Sequence, residues 1–171
     1  MKKFFYFSVI ALCFAACKPV EPTDETPIFT LKILQNGVLI PITNDTTVII
    51  EEFEVMEDGD IEFTFEGTIF PEEEFNLEVT TTRNDFAVQN HTFDKLCLIQ
   101  CENAQFYDED GEWVFPVTVN FNSKIKSEKP QTFEAHCLPA VEGDHIIIYD
   151  FHEQENPNAK IKVTVIYRYR N

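Results

Sequence analysis

Ile61, Phe63 and Phe65 alternate with Glu62, Thr64 and Glu66. That two-residue period restricts this chain more than any other feature. In an extended strand successive side chains point to opposite faces, so such a stretch has one apolar and one polar face and must lay the apolar one on a core. The period returns at Phe75, Leu77 and Val79, at Trp113 to Phe121, and at Ile161 to Arg168, while Gln131 to Leu138 and His145 to Phe151 also read as strands. Ile28 to Gln35 alternates as well, and Val38 to Ile42 reads as its return strand after Asn36-Gly37, a pair that favours a two-residue hairpin turn. Thr46 to Met56 reads as one β-branched, apolar strand. Pro116 demotes its own strand to an edge or marks a bulge. Turns are expected at Glu57-Asp58-Gly59-Asp60, Asp108 to Glu112, Glu142-Gly143-Asp144 and Asn156-Pro157-Asn158. Roughly eight to ten short strands with no amphipathic helix between them predict an all-β fold, an antiparallel β-sandwich forming a single domain. No internal repeat points to a propeller or solenoid.

The start of the chain has a different grammar. Lys2 and Lys3 precede the apolar run Phe4 to Ala16, and Cys17 follows. A basic head, a short apolar stretch and small residues before a break are the parts of a secretory signal, and the run is too short to span a membrane. Residues 1–16 are therefore expected to be a removable leader. Residues 17–27 hold Pro19, Pro22 and Pro27 among Glu21, Asp24 and Glu25, which predicts an extended, semi-rigid tether. The sandwich is expected over 28–171.

Charge narrows the partners. Thirteen basic and 30 acidic residues give a net charge of −17, and losing the leader removes two lysines and no acid. Nucleic acid is not expected as a partner, since cationic side chains must neutralise its phosphates. Docking on anionic lipid through a basic patch is excluded for the same reason.

Cys97, Cys101 and Cys137 remain in an oxidising export compartment once Cys13 and Cys17 are set aside. An odd number permits one internal bridge. Cys97–Cys101 is the first choice, because four-residue spacing closes a small loop, and Cys137 with either of them is the alternative. With His91 and His136 these thiols also have the makings of a zinc site, and His136, Cys137 and His145 of a copper site. The spacing and the compartment favour a structural disulfide, and no metal or other cofactor is expected. Asp108 to Glu112 and Asp58-Gly59-Asp60 look like pieces of a calcium loop but read as acidic turns, because the former lacks the closing glutamate. Ser123 and Ser127 lie in a polar stretch, and neither G-x-S-x-G nor H-E-x-x-H occurs. The chain is expected not to be an enzyme. Trp113, Tyr107 and Phe106 have the makings of an aromatic platform for sugar or peptide, although period-two spacing also fits Trp113 to an inward, core-facing position.

The ending Phe14-Ala15-Ala16-Cys17 resembles the lipobox of bacterial lipoproteins. That implies cleavage before Cys17 and acylation of its thiol and new amino group. With the tether, Leu96 to Cys101, and the run Val141 to Asp150 before Asn156-Pro157, the mature chain resembles the small envelope lipoproteins of Bacteroidetes-type bacteria. Their sandwiches are immunoglobulin-like (Greek key) or cupredoxin-like. The resemblance implies a lipid-anchored location in the cell envelope, at the outer membrane, with a bridge between Cys97 and Cys101 near one end of the sandwich. The leader, the tether and a strand pattern without catalytic spacing lead to the expectation of a binding or scaffolding role toward another envelope component. A glycan-binding module of an uptake or adhesion system is the alternative. The resemblance brings no catalytic residues.

Overall fold

The computed structural model describes residues 26–83, 93–98, 100–104, 117–127 and 129–170. Cys17, the tether up to Glu25, His91, Tyr107, Asp108 to Glu112, Trp113 and Pro116 lie outside them. The described chain is all strand and turn. One sheet has the order β2-β1-β5-β10-β7-β8, built from β1 (Phe29–Gln35), β2 (Val38–Ile42), β5 (Ile61–Pro71), β7 (Phe93–Cys97), β8 (Cys101–Ala104) and β10 (Gln131–Leu138). The short β4 (Glu54–Val55) adds to β5. The other sheet has the order β3-β12-β11-β6-β9, from β3 (Thr46–Ile50), β6 (Phe75–Arg83), β9 (Val117–Ile125), β11 (Gly143–Glu153) and β12 (Asn156–Tyr169). The chain crosses repeatedly between the two layers, so neither sheet is a local product of the sequence.

Alternation decides which residues meet. Phe63 and Phe65 of β5, Phe133, Ala135 and Cys137 of β10, and Leu31 and Ile33 of β1 point inward from the first sheet. Leu77 and Val79 of β6, Ile147, Tyr149 and Phe151 of β11, and Val163, Val165 and Tyr167 of β12 oppose them. Rings join the layers: Phe65 lies 5.9 Å from Tyr149, Phe133 5.0 Å from Phe151, and Phe29 stacks on Phe75 at 5.3 Å. Each such pair contributes about 0.5–1.5 kcal/mol beyond the burial of its area.

The Asn36-Gly37 hairpin forms as expected, with φ of 51° and 74° at its two centres. Three expectations need correction. Thr46 to Met56 is not one strand. β3 joins the second sheet, pairing parallel with β12 in an otherwise antiparallel sandwich. The chain then crosses to the first sheet as β4, and Phe53 wedges between Phe63 and Tyr169. Asn156-Pro157-Asn158 is not the turn. Gln154 and Glu155 turn the chain, while Glu153 pairs with Asn156 and His152 with Lys160. Pro157 therefore sits in a bulge, where it removes no ladder hydrogen bond. Glu142-Gly143-Asp144 likewise gives way to an earlier turn, because β11 already begins at Gly143.

Candidate functional site

Cys97 and Cys101 are bridged, closing the β7–β8 hairpin at the edge of the first sheet. Cys137 is a free, buried thiol, so the alternative pairings fail. The pleat also separates the residues of the imagined metal sites. Cys137 points into the core. His136, its neighbour, points to the outer face, where Nδ1 lies 2.9 Å from Glu62 Oε1 and Nε2 3.4 Å from Glu134 Oε2. Among the described residues no group of three or more His, Cys, Asp and Glu gathers to hold a metal. At Asp58-Gly59-Asp60, the Asp60 amide donates to Asp58 Oδ1 at 3.2 Å, which is a self-closed turn.

A buried polar cluster is what sequence reasoning missed. Arg83 closes β6 on the inward parity of Phe75, Leu77, Val79 and Thr81, and its side chain is fully buried. Its Nη1 meets Asp94 Oδ2 of β7 at 2.5 Å, and its Nη2 meets Nδ1 of His145 at 2.9 Å. His145 Nε2 lies 2.9 Å from the Val141 carbonyl. These partners assign the tautomer: Nε2–H donates to the carbonyl and Nδ1 accepts from Arg83. Cys137 sits beside Asp94 and Arg83, and the hydroxyls of Tyr149 and Tyr167 meet at 3.0 Å nearby. Burial raises the Asp94 carboxyl above its ordinary value of 3.8, against the opposing pull of Arg83. Burial, reinforced by Asp94, pushes the Cys137 thiol well up.

Thiol, imidazole and carboxylate together have the composition of a nucleophilic triad. The geometry denies it. Neither imidazole nitrogen is open to take a proton from the thiol, and a thiol held protonated away from solvent is a poor nucleophile. The cluster is a clamp between sheets.

An open cleft lies where β1 and β5 part. On its β10 side β5 is paired from Phe63 to Ile69. On its other side β1 pairs with Gly67 to Pro71, and β4 with Ile61 and Glu62. Phe63 to Glu66 lie between, and among the described residues no strand pairs with them on that side. β1 peels away after Ile33, carrying β2 with it through Leu34 and Gln35. A cleft of about 310 Å³ fills the break. Ile33, Val48 and Phe65 reach it from the core. Leu34 and Ile49, both over two-fifths exposed, stand at its mouth with Glu51, Glu52 and Glu66. Val48 to Ile50 belong to β3, an edge strand of the second sheet among the described residues.

No protein-family model matches the chain, and no curated protein matches it. Among solved structures it is similar to the N-terminal domain of PorA, at 16% identity and a TM-score of 0.56, over 82% of this chain and 97% of that one. That likeness shows a shared fold. It is also similar to a conjugative transposon lipoprotein from Bacteroides eggerthii (11% identity, TM-score 0.37, 84% of this chain and 98% of that one). A third is a PapD-like domain of human CEP192 (13%, 0.37, 97% and 98%). These two are too distant to carry an argument. The two packed sheets define the class: an all-β sandwich.

Proposed function

We propose that this chain is a non-enzymatic module of the cell envelope, moored through a lipidated Cys17 on the tether of residues 17–27, whose sandwich binds or scaffolds another envelope component. The observation that carries the binding role is the break in the first sheet. It is an open, partly apolar cleft between strand edges, while the thiol and imidazole of the polar cluster are buried and engaged. A β-sandwich with an open strand-lined cleft suits recognition rather than bond-making. The leader and the Phe14-Ala15-Ala16-Cys17 ending support the mooring.

Fractionation of cells tests the mooring. The native chain is expected with the membranes, and the Cys17→Ala chain in the soluble fraction. Identical partitioning of the two would remove the lipid anchor from this account.

A further inference from the structure

We infer that the break in the first sheet receives an extended peptide segment of a partner protein, with alternating apolar and basic residues, as an added strand. The inference rests on the binding role proposed above and names the partner's chemistry.

The backbone calls for a strand. Buried amides and carbonyls are almost always paired, and β5 is a central strand whose neighbours on one side stop short of each other. The four residues of β5 that have no partner on this side among the described residues span about 13 Å at the rise of a strand. Alternate residues there aim both N–H and C=O into the cleft, which is the template that strand addition uses. The β3 edge lines the same cleft and offers a second ladder.

The side chains say which strand. Ile33, Val48 and Phe65 make an apolar floor, so every second residue of the guest is apolar. Glu52 and Glu66 stand at the rim and make no ion pair among the described residues, while Glu51 is engaged by Arg168 at 2.9 Å. The intervening guest residues are therefore lysine or arginine, which meet these carboxylates and are drawn in by the acidic surface as a whole. Charge also argues against the nearer occupants. The chain's own tether is acidic and carries three prolines, which cannot donate to a ladder. A second copy brings another net charge of −17 to an acidic rim.

The test uses the full chain in mild detergent and a short synthetic peptide alternating lysine and valine. Two control peptides are used, one with a proline in place of its central valine and one with glutamate in place of lysine. Saturable binding of the lysine peptide that slows amide exchange at Phe63 to Glu66 and weakens with salt supports the inference. The Glu52→Lys/Glu66→Lys chain should bind it roughly tenfold more weakly, with amide protection elsewhere unchanged as proof of folding. Unaltered exchange at Phe63 to Glu66 overturns it. So does equal binding of either control peptide, or protection of those amides by a concentration-dependent dimer without peptide. Membrane partitioning of the same chain is read separately, so a moored chain that ignores the peptide refutes this inference alone.

Discussion

Arg83 and Asp94 come from opposite sheets and meet at 2.5 Å with both side chains withdrawn from water. They tie the end of β6 to the start of β7. His145 holds the other arm of the guanidinium. Ion pairs of this kind are costly to break and modest to own. Removing one partner strands a buried charge, whereas replacing both with apolar side chains is often neutral or better.

Asp94→Ala should lower the unfolding free energy by about 3–5 kcal/mol. The double change Arg83→Met/Asp94→Leu should recover most of that loss. Urea unfolding of the three chains measures it. A single variant as stable as the parent would show that the clamp carries no weight.

Stability should also respond to pH through the same carboxyl. Burial, opposed by Arg83, raises Asp94 above 3.8 in the folded chain. The folded state then binds the proton more readily than the unfolded one, so the contribution of Asp94 is fully present below 3.8 and is lost as pH rises through the folded value. Asp144 runs the other way. Slight burial pushes it up, but Arg168 and Arg170 outweigh that and hold it below 3.8. Its small, solvent-screened contribution is present above 3.8 and fades as pH falls through the folded value. Subtracting the Asp94→Asn stability profile from the parent's isolates the first effect. The difference should decline as pH rises from 3.8.

Cys137 should resist alkylation in the folded chain. It is fully shielded, and burial together with Asp94 keeps its thiol protonated. Iodoacetamide labelling followed by mass spectrometry should modify it only after denaturation. Rapid labelling of the native protein would mean that the clamp region opens.

Gly67 should tolerate no side chain. A Cβ there would lie 2.6 Å from the Lys32 carbonyl oxygen and 2.6 Å from the ring of Phe133, its partner across the ladder. The carbonyl belongs to the β1–β5 pairing and cannot step aside without opening it. Gly67→Ala should cost about 1–3 kcal/mol, read as a lowered Tm. An unchanged Tm would show that β1 gives way freely at the margin of the cleft.

Much of the fold was legible because a strand's parity is local. Ile61 to Glu66 and Ile161 to Arg168 announce their inward residues by alternation alone, and Asn36-Gly37 announces its own turn. Even Arg83 was marked, since it stands on the same parity as Phe75, Leu77 and Val79. A charge at an inward position was the signal for the clamp. Its partners could not be read, because Asp94 and His145 reach it only through pairing between distant strands. The cleft was hidden for the same reason. Nothing in Phe63 to Glu66 says that β1 leaves at Ile33 and β4 arrives only at Glu62. Alternation and turn chemistry are written residue by residue, so the sequence by itself determined an all-strand body and which side of most strands faces the core. Neighbours across a sandwich are chosen by long-range ladders, so only the tertiary structure decided that β3 runs parallel to β12, that Cys137 is sealed beside Asp94, and that one sheet is left open.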